Sequence, residues 1–339
     1  MLSLKSKQYF DVHREAPLNL ESADNILFSH EFKRKFEKGI ILRIPWICIK
    51  NQCFYYNTTF SIANYLRYNS ILINFKSRIG YLYFIVKSIL LFRLKIISKP
   101  AVCFTDSWSH GYFHWMYDSL PRLILSLENS NNFIILPNEF QNIDYVKSSL
   151  ELLNFNNIKY TKPNSIFLFK RLIFPTHSAP TGNFDPLVIH KLRDKLLSNI
   201  ETSLKIYDRI YISREKSMRR KVINEEALSS VLKRNGFHVL CMEDYSWKEQ
   251  MYIFMTCNVL IGIHGAGLSN MIFMKEHSKV IEIRKKGDII NNCYFSLASA
   301  LKHDYLYLQA QIIGSNEYIQ ENNFIVDLNE LNSILSNYV

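Results

Sequence analysis

Three groups of residues have types and spacings suited to chemistry. The first lies between Thr105 and Arg122, where His114 and Asp118 stand four apart and would share one face of a helix. An imidazole beside a carboxylate can take a proton from a hydroxyl near neutral pH. His110 extends the row at the same spacing, and two histidines with an aspartate could also ligate a metal. Gly111 and Pro121 speak against three successive helical turns there, and no H-E-x-x-H occurs. The ordinary alternative is a pair of satisfied structural groups among aromatic neighbours.

The second group is the run Val259 to Asn270, an apolar stretch leading directly into His264, Gly265, Ala266, Gly267, Leu268, Ser269 and Asn270. Gly265 and Gly267 would let backbone approach a ligand closely, and free amides at the start of a following helix suit a phosphate. The same glycines could simply make a tight strand-to-helix turn. Neither G-x-G-x-x-G nor a Walker loop is formed, so dehydrogenase and P-loop kinase readings lose ground.

The third group runs from Arg209 to Arg214, with Arg219, Arg220 and Lys221 close behind. Arg214 would leave the carboxyl end of a strand, where a guanidinium can fork onto a diphosphate and keep its charge when partly buried. Arg219, Arg220 and Lys221 read equally as a solvated basic loop. Glu282 could accept hydrogen bonds from ribose hydroxyls, or pair with Arg284 or Lys285.

Absences narrow the field. No two carboxylates are separated by a single residue, so the D-x-D pattern that holds a divalent metal against a nucleotide diphosphate does not occur. Arginine and backbone dipoles would have to replace that metal. G-x-S-x-G, a common hydrolase signature, is also missing. The net charge of +11 favours an anionic partner, but it is spread over both halves without zinc spacing or an RNP-like pattern, which argues against nucleic acid.

The elements that must position these groups follow from periodicity. Past residue 200, short apolar runs at Arg209 to Ser213, Phe237 to Cys241, Val259 to Ile263, Lys279 to Ile283 and Tyr305 to Leu308 alternate with helical stretches. That alternation predicts βαβ units and a parallel, doubly wound α/β domain whose ligands bind outside the carboxyl ends of the strands. The first half mixes β-like runs with helices at Trp115 to Leu127 and Asp144 to Leu153. Pro175 to Pro186 is the best linker candidate. With 339 residues, two domains are expected: 1–180, 187–315, and a segment 316–339 that is helical and packs back on the first. Ile79 to Phe92 is too short to span a bilayer and reads as a core helix or as an interfacial helix on anionic lipid. The six scattered cysteines and the lack of an apolar leader at the start suggest a reducing cytosol without structural disulfides.

Taken together, the stretches Phe113 to Arg122, Tyr211 to Glu225, the Gly236-Phe237 turn, Glu249-Gln250 and Ile263 to Asn270 resemble glycosyltransferase family 61. The resemblance implies a GT-B-like arrangement, two Rossmann-like domains facing across a cleft. It also implies inverting, metal-independent transfer from a nucleoside-diphosphate sugar, with UDP the expected carrier and no bound cofactor. Arg214, Arg220 and the amides around Gly265 to Ser269 would hold the diphosphate, with Asn270 shaping the turn and His264 beside the sugar. Glu282 would take the ribose, by wider analogy. His114 and Asp118 match the family's His-x-x-x-Asp, and one of them, Asp118 preferred, would be the base. The implied acceptor is a glycan or lipid-linked saccharide of capsule or lipopolysaccharide synthesis, at the inner face of the membrane. The rival readings are a non-catalytic nucleotide-sugar-binding or scaffold subunit and a basic nucleic-acid binder.

Overall fold

An apolar run without alternation, Val259–Ile263, must be covered on both faces, and it forms the centre of a parallel sheet beside Lys279–Lys285, whose five inner residues are all buried. The computed structural model describes residues 9–37, 41–44, 47–50, 94–106, 108–126, 133–161, 166–169, 172–175, 177–198, 200, 206–313 and 322–339. Ile79 to Phe92 lies outside them. The chain divides into two compact units, Met1–Phe10 with Phe36–Asn199, and Asp11–Lys35 with Ile200–Val339.

In the first unit a five-stranded sheet has the order β3 (Ile41–Ile44), β10 (Leu172–Pro175), β6 (Ala101–Val102), β7 (Phe133–Pro137), β8 (Ile158–Thr161). All neighbours are parallel except β3 and β10. A smaller sheet joins β4 (Ile47–Lys50), β9 (Ile166–Phe169) and β5 (Leu94–Ile97). Between β6 and β7 the chain forms a short helix at Tyr112–His114, a π-helical turn at Trp115–Ser119 and an α-helix at Leu120–Leu125. Pro121 accounts for part of this. Its ring cannot donate to the carbonyl four residues back and would crowd it, whereas the wider turn bonds Leu120 N to Trp115 O and leaves Pro121 in the first turn of the next helix. Trp115 is fully buried, donates from Nε1 to Ser149 Oγ at 2.9 Å and packs on Phe104 and Phe140, which fixes the turn in the core.

The second unit holds a six-stranded sheet with the order β12 (His238–Leu240), β11 (Arg209–Ile212), β13 (Val259–Ile263), β14 (Lys279–Lys285), β15 (Asp304–Ile313), β16 (Asn323–Ile325). Strands β11 to β15 run parallel and β16 antiparallel to β15. From β11 the chain moves outward to β12 and then returns to β13 on the other side. This is a topological switch point, where open α/β sheets leave a crevice at the carboxyl ends. The helix Trp247–Met255 starts at a capping box in which Ser246 and Glu249 satisfy each other's backbone amides.

Three sequence expectations change. The Pro175–Pro186 stretch is no boundary: Ala179 and Phe184 are buried, Phe184 packs on Phe113 and Tyr117, and Asp185 caps the helix Pro186–Leu197 within the first unit. The division falls after Asn199 instead. The segment Asp11–Lys35, expected in the first domain, belongs to the second, where Phe28 packs among Phe295, Tyr305 and Tyr307 and Asp24 accepts from Tyr307 and Gln309. The helix Leu328–Tyr338, expected on the first domain, places Leu331, Ile334 and Leu335 in the core of the second unit with Leu228 and Phe324. Their apolar face matches that of Glu225–Arg234, and Asn224 exchanges two hydrogen bonds with Val326.

If the C-terminal helix belongs to that core, Leu331→Ala should lower stability by ~2–5 kcal/mol in urea unfolding, the usual cost of emptying a fully buried leucine site. A change near zero would place the helix outside the cooperative unit.

Candidate active site

In the first unit the π-helical turn brings His114 and Asp118 together, Nδ1 to Oδ2 at 2.7 Å. Asp118 is nearly enclosed at 4% exposure, while the His114 side chain keeps 27%. Thr181 Oγ1 donates to the same Oδ2 at 3.4 Å, and His177 Nδ1 lies 3.7 Å from Oδ1. On its other edge His177 Nε2 lies 3.5 Å from Asp106 Oδ2, which Arg122 Nη1 reaches at 3.2 Å. Arg122 also donates from Nε to Pro175 O at 3.0 Å, and the backbone amide of Trp108 donates to Asp106 Oδ1 at 2.9 Å. Buried charges demand such pairing, since an unmatched one costs several kcal/mol, about 3–5 by partner removal. Arg122, Asp106, His177, Asp118 and His114 thus form one chain of alternating charge and imidazole that ends at a partly open ring.

Sequence reading found His114 and Asp118 by their spacing. It missed His177, Asp106 and Thr181 as partners because they lie far apart in the chain, two of them in a stretch that reads as linker. His110 does not join the row. It stacks on Phe140 with centroids 4.3 Å apart, lies 3.6 Å from Glu139, and its carbonyl accepts from Tyr145. Among the described residues no group of three or more His, Cys, Asp or Glu side chains is arranged to hold a metal ion.

In the second unit the switch point lies between Ile212, followed by Ser213 and Arg214, and Ile263, followed by His264 and Gly265. Arg214 donates from Nη2 to Ser217 Oγ at 2.6 Å and to Arg219 O at 2.8 Å, and Arg220 Nη1 donates to His264 O at 2.5 Å. Arg220 adopts φ 56°, a left-handed conformation that costs a non-glycine residue ~1–3 kcal/mol and persists only when its surroundings enforce it. The buried Nε atoms of both guanidiniums lack a hydrogen-bond partner in the protein. Burial lowers both pKa values, and Arg214 lowers that of Arg220 further by like-charge repulsion. Two incompletely satisfied cations thus lie near one another, Arg220 in a strained backbone, an arrangement suited to an anion.

The turn itself continues into a 3₁₀ helix at Ala266–Phe273. A Cβ on Gly265 would lie 3.4 Å from Arg220 Nη1, so the missing side chain lets the backbone sit under the guanidinium. Gly267 serves a different purpose from the one its spacing suggests: a Cβ there would lie 3.2 Å from two atoms of Ile212, so it allows helix to approach strand. Ala266 is partly exposed, whereas Leu268, Ser269 and Asn270 are buried, and Asn270 Nδ2 donates to Gln250 Oε1 at 2.9 Å. These last three shape the turn from behind. Glu282 departs most from expectation. It has no exposed surface; Oε1 meets His264 Nδ1 at 2.5 Å and Oε2 accepts from Tyr305 at 2.5 Å, so it faces His264 and not an open ribose pocket.

One α/β unit thus holds a nearly enclosed acid beside a partly open imidazole, and the other holds two incompletely satisfied arginines at its switch point. A family model described as Glycosyltransferase 61 matches residues 112–281, half of the chain, and the chain belongs to that family. Over 84 residues it is 33% identical to the EGF domain-specific O-linked N-acetylglucosamine transferase of Bos taurus, 31% to that of Mus musculus and 32% to that of Gallus gallus. The matches cover 23% of this chain and 16%, 16% and 15% of those proteins, so this chain spans about a sixth of their length.

Asp106→Asn keeps the shape of the side chain but strips Arg122 of its buried counter-ion. A loss of ~3–5 kcal/mol in denaturant unfolding is expected. A loss no larger than that of an exposed pair, about 1 kcal/mol or less, would mean that the pair is not held in a low-dielectric interior.

Proposed function

We propose that the chain is an inverting, metal-independent glycosyltransferase that moves a sugar from a nucleoside-diphosphate donor, UDP-linked, to a hydroxyl of a glycan or lipid-linked saccharide. The observation that carries this is the pair Arg214 and Arg220 with unmatched Nε donors, next to the amides that follow Gly265, at the switch point. Together they supply fixed positive charge where a departing diphosphate would need it.

On the acceptor side we take His114 as the base in preference to Asp118. Asp118 is enclosed and fixes Nδ1 of the ring, so the imidazole is oriented and its other nitrogen is left to receive a proton. In this reading the acceptor O–H gives its proton to His114 Nε2, the oxygen attacks the anomeric carbon, and the bond to the diphosphate oxygen breaks with inversion. Arg214, Arg220, His264 and the turn amides receive the growing charge on the leaving group. The GT-B-like pairing of the two units, taken from the family resemblance, would bring these groups to one substrate pair.

The carrier and the context are the family-weighted choices: UDP, and a capsular or lipopolysaccharide acceptor reached from the cytoplasmic face of the membrane. The +11 charge suits an anionic lipid surface. Among the described residues no helix is long and apolar enough to cross a membrane. The relatives' name makes N-acetylglucosamine the first sugar to try.

With a panel of UDP-sugars, His114→Ala should lower transfer by ~10²- to 10⁴-fold, the worth of an oriented base. Arg214→Ala should lower it by ~10²- to 10³-fold, the worth of one preorganised donor. Near-normal turnover in both variants would refute the mechanism. Activity abolished by EDTA and restored by manganese would refute its metal-independent part.

A further inference from the structure

Glu282 is a carboxylate without solvent, and both of its oxygens are matched. Behind it, Arg284 Nη1 reaches the Tyr305 hydroxyl at 3.4 Å, and Nη2 donates to Asp288 O at 2.7 Å and Asn292 Oδ1 at 2.8 Å. Arg284 is 1% exposed, with its guanidinium 4.7 Å from the ring centre of Phe28. Asn292 Nδ2 donates in turn to Leu27 O at 2.9 Å. Phe28 and Leu27 come from the early segment Asp11–Lys35, which Arg14 further ties down by donating to Ser296 Oγ at 2.8 Å.

We propose that Glu282, Tyr305 and Arg284 are positioning residues that hold the His264 ring by its Nδ1–H as a fixed cationic donor beside Arg220 and Gly265, and that segment Asp11–Lys35 braces this support through Phe28. This rests on the donor-diphosphate reading for its purpose, though not for its geometry. It assigns Glu282 to the interior of the protein instead of the ribose.

The electrostatics agree. Burial would lower the proton affinity of His264, but Cys293 and Glu282 outweigh it and push the pKa up to about 10. Facing the ring are Glu282 from β14 and Cys293 and Tyr294 from the helix Cys293–Ala300, with Tyr294 4.9 Å away between ring centroids. Arg220 meets the residue's carbonyl, with Arg214 near Arg220. Tyr305 is held neutral, its pKa raised first by burial and then by Glu282. A raised imidazole loses its charge only as pH climbs through the folded value, so the ring should stay charged across the neutral range.

The full chain with ¹³C-labelled histidine tests this by NMR, with His264→Gln to assign the signal and calorimetric titration of UDP between pH 6 and 9 as a second readout. The His264 resonance should stay constant over that range, and UDP affinity should change less than about threefold, well under the factor of ten that 1.4 kcal/mol represents. In Glu282→Gln the resonance should titrate within that range, below the wild-type value, and UDP binding at pH 8.5 should fall about tenfold relative to pH 6. Tyr305→Phe keeps the packing and removes the hydroxyl that donates to Glu282 and accepts from Arg284, so it should move both readouts the same way by less; it preserves the test if Glu282→Gln fails to fold. Phe28→Leu should weaken UDP binding several-fold, and unchanged binding would overturn the bracing role of the segment. A wild-type His264 that titrates near 6.5, or a Glu282→Gln variant whose His264 signal stays flat, would overturn the relay. A relay that behaves as expected in a protein that never binds UDP would instead count against the donor reading alone.

Discussion

A buried charge is tolerated only when its partners are buried with it, and both candidate half-sites are built on that constraint. In the first unit Arg122 neutralises Asp106, and His177 carries the contact on to Asp118, so that His114 is the member of the chain that meets solvent. The second unit sets Glu282 between His264 and Tyr305, with Arg284 behind. In each, an acid that sequence alone presents as a reagent is hydrogen-bonded to an imidazole.

The surrounding fold follows from where such chains can be anchored. A π-helical turn widens the helix before Pro121 and places Asp118 inside while Trp115 locks the backbone. On the sheet, the reversal of strand order between β11 and β13, which themselves run parallel, leaves the carboxyl ends open, and Arg220 accepts a left-handed backbone to reach the carbonyl of His264.

Much of this was legible in advance. The alternation past residue 200 announced the parallel sheet because fully buried strands cannot alternate, and Val259–Ile263 leading into His264 marked the turn. His114 and Asp118 were readable from a spacing of four. Long-range pairing was not: His177 lies in a stretch whose prolines and glycine suggest a linker, and only its position between Asp106 and Asp118 reveals otherwise. Glu282 misled because a carboxylate near a strand end looks the same in sequence whether it points to a ligand or to the core. Gly267 likewise serves the contact with Ile212, which no local pattern encodes.

The early segment carries a cost in biosynthesis. Leu27 and Phe28 leave the ribosome roughly 250 residues before the β14 and β15 side chains that cover them, a wait on the order of 10–50 s at ordinary elongation rates. Until then their apolar surface has nothing to bury against, so the C-terminal lobe matures late and the nascent chain offers a natural binding stretch for a holding chaperone.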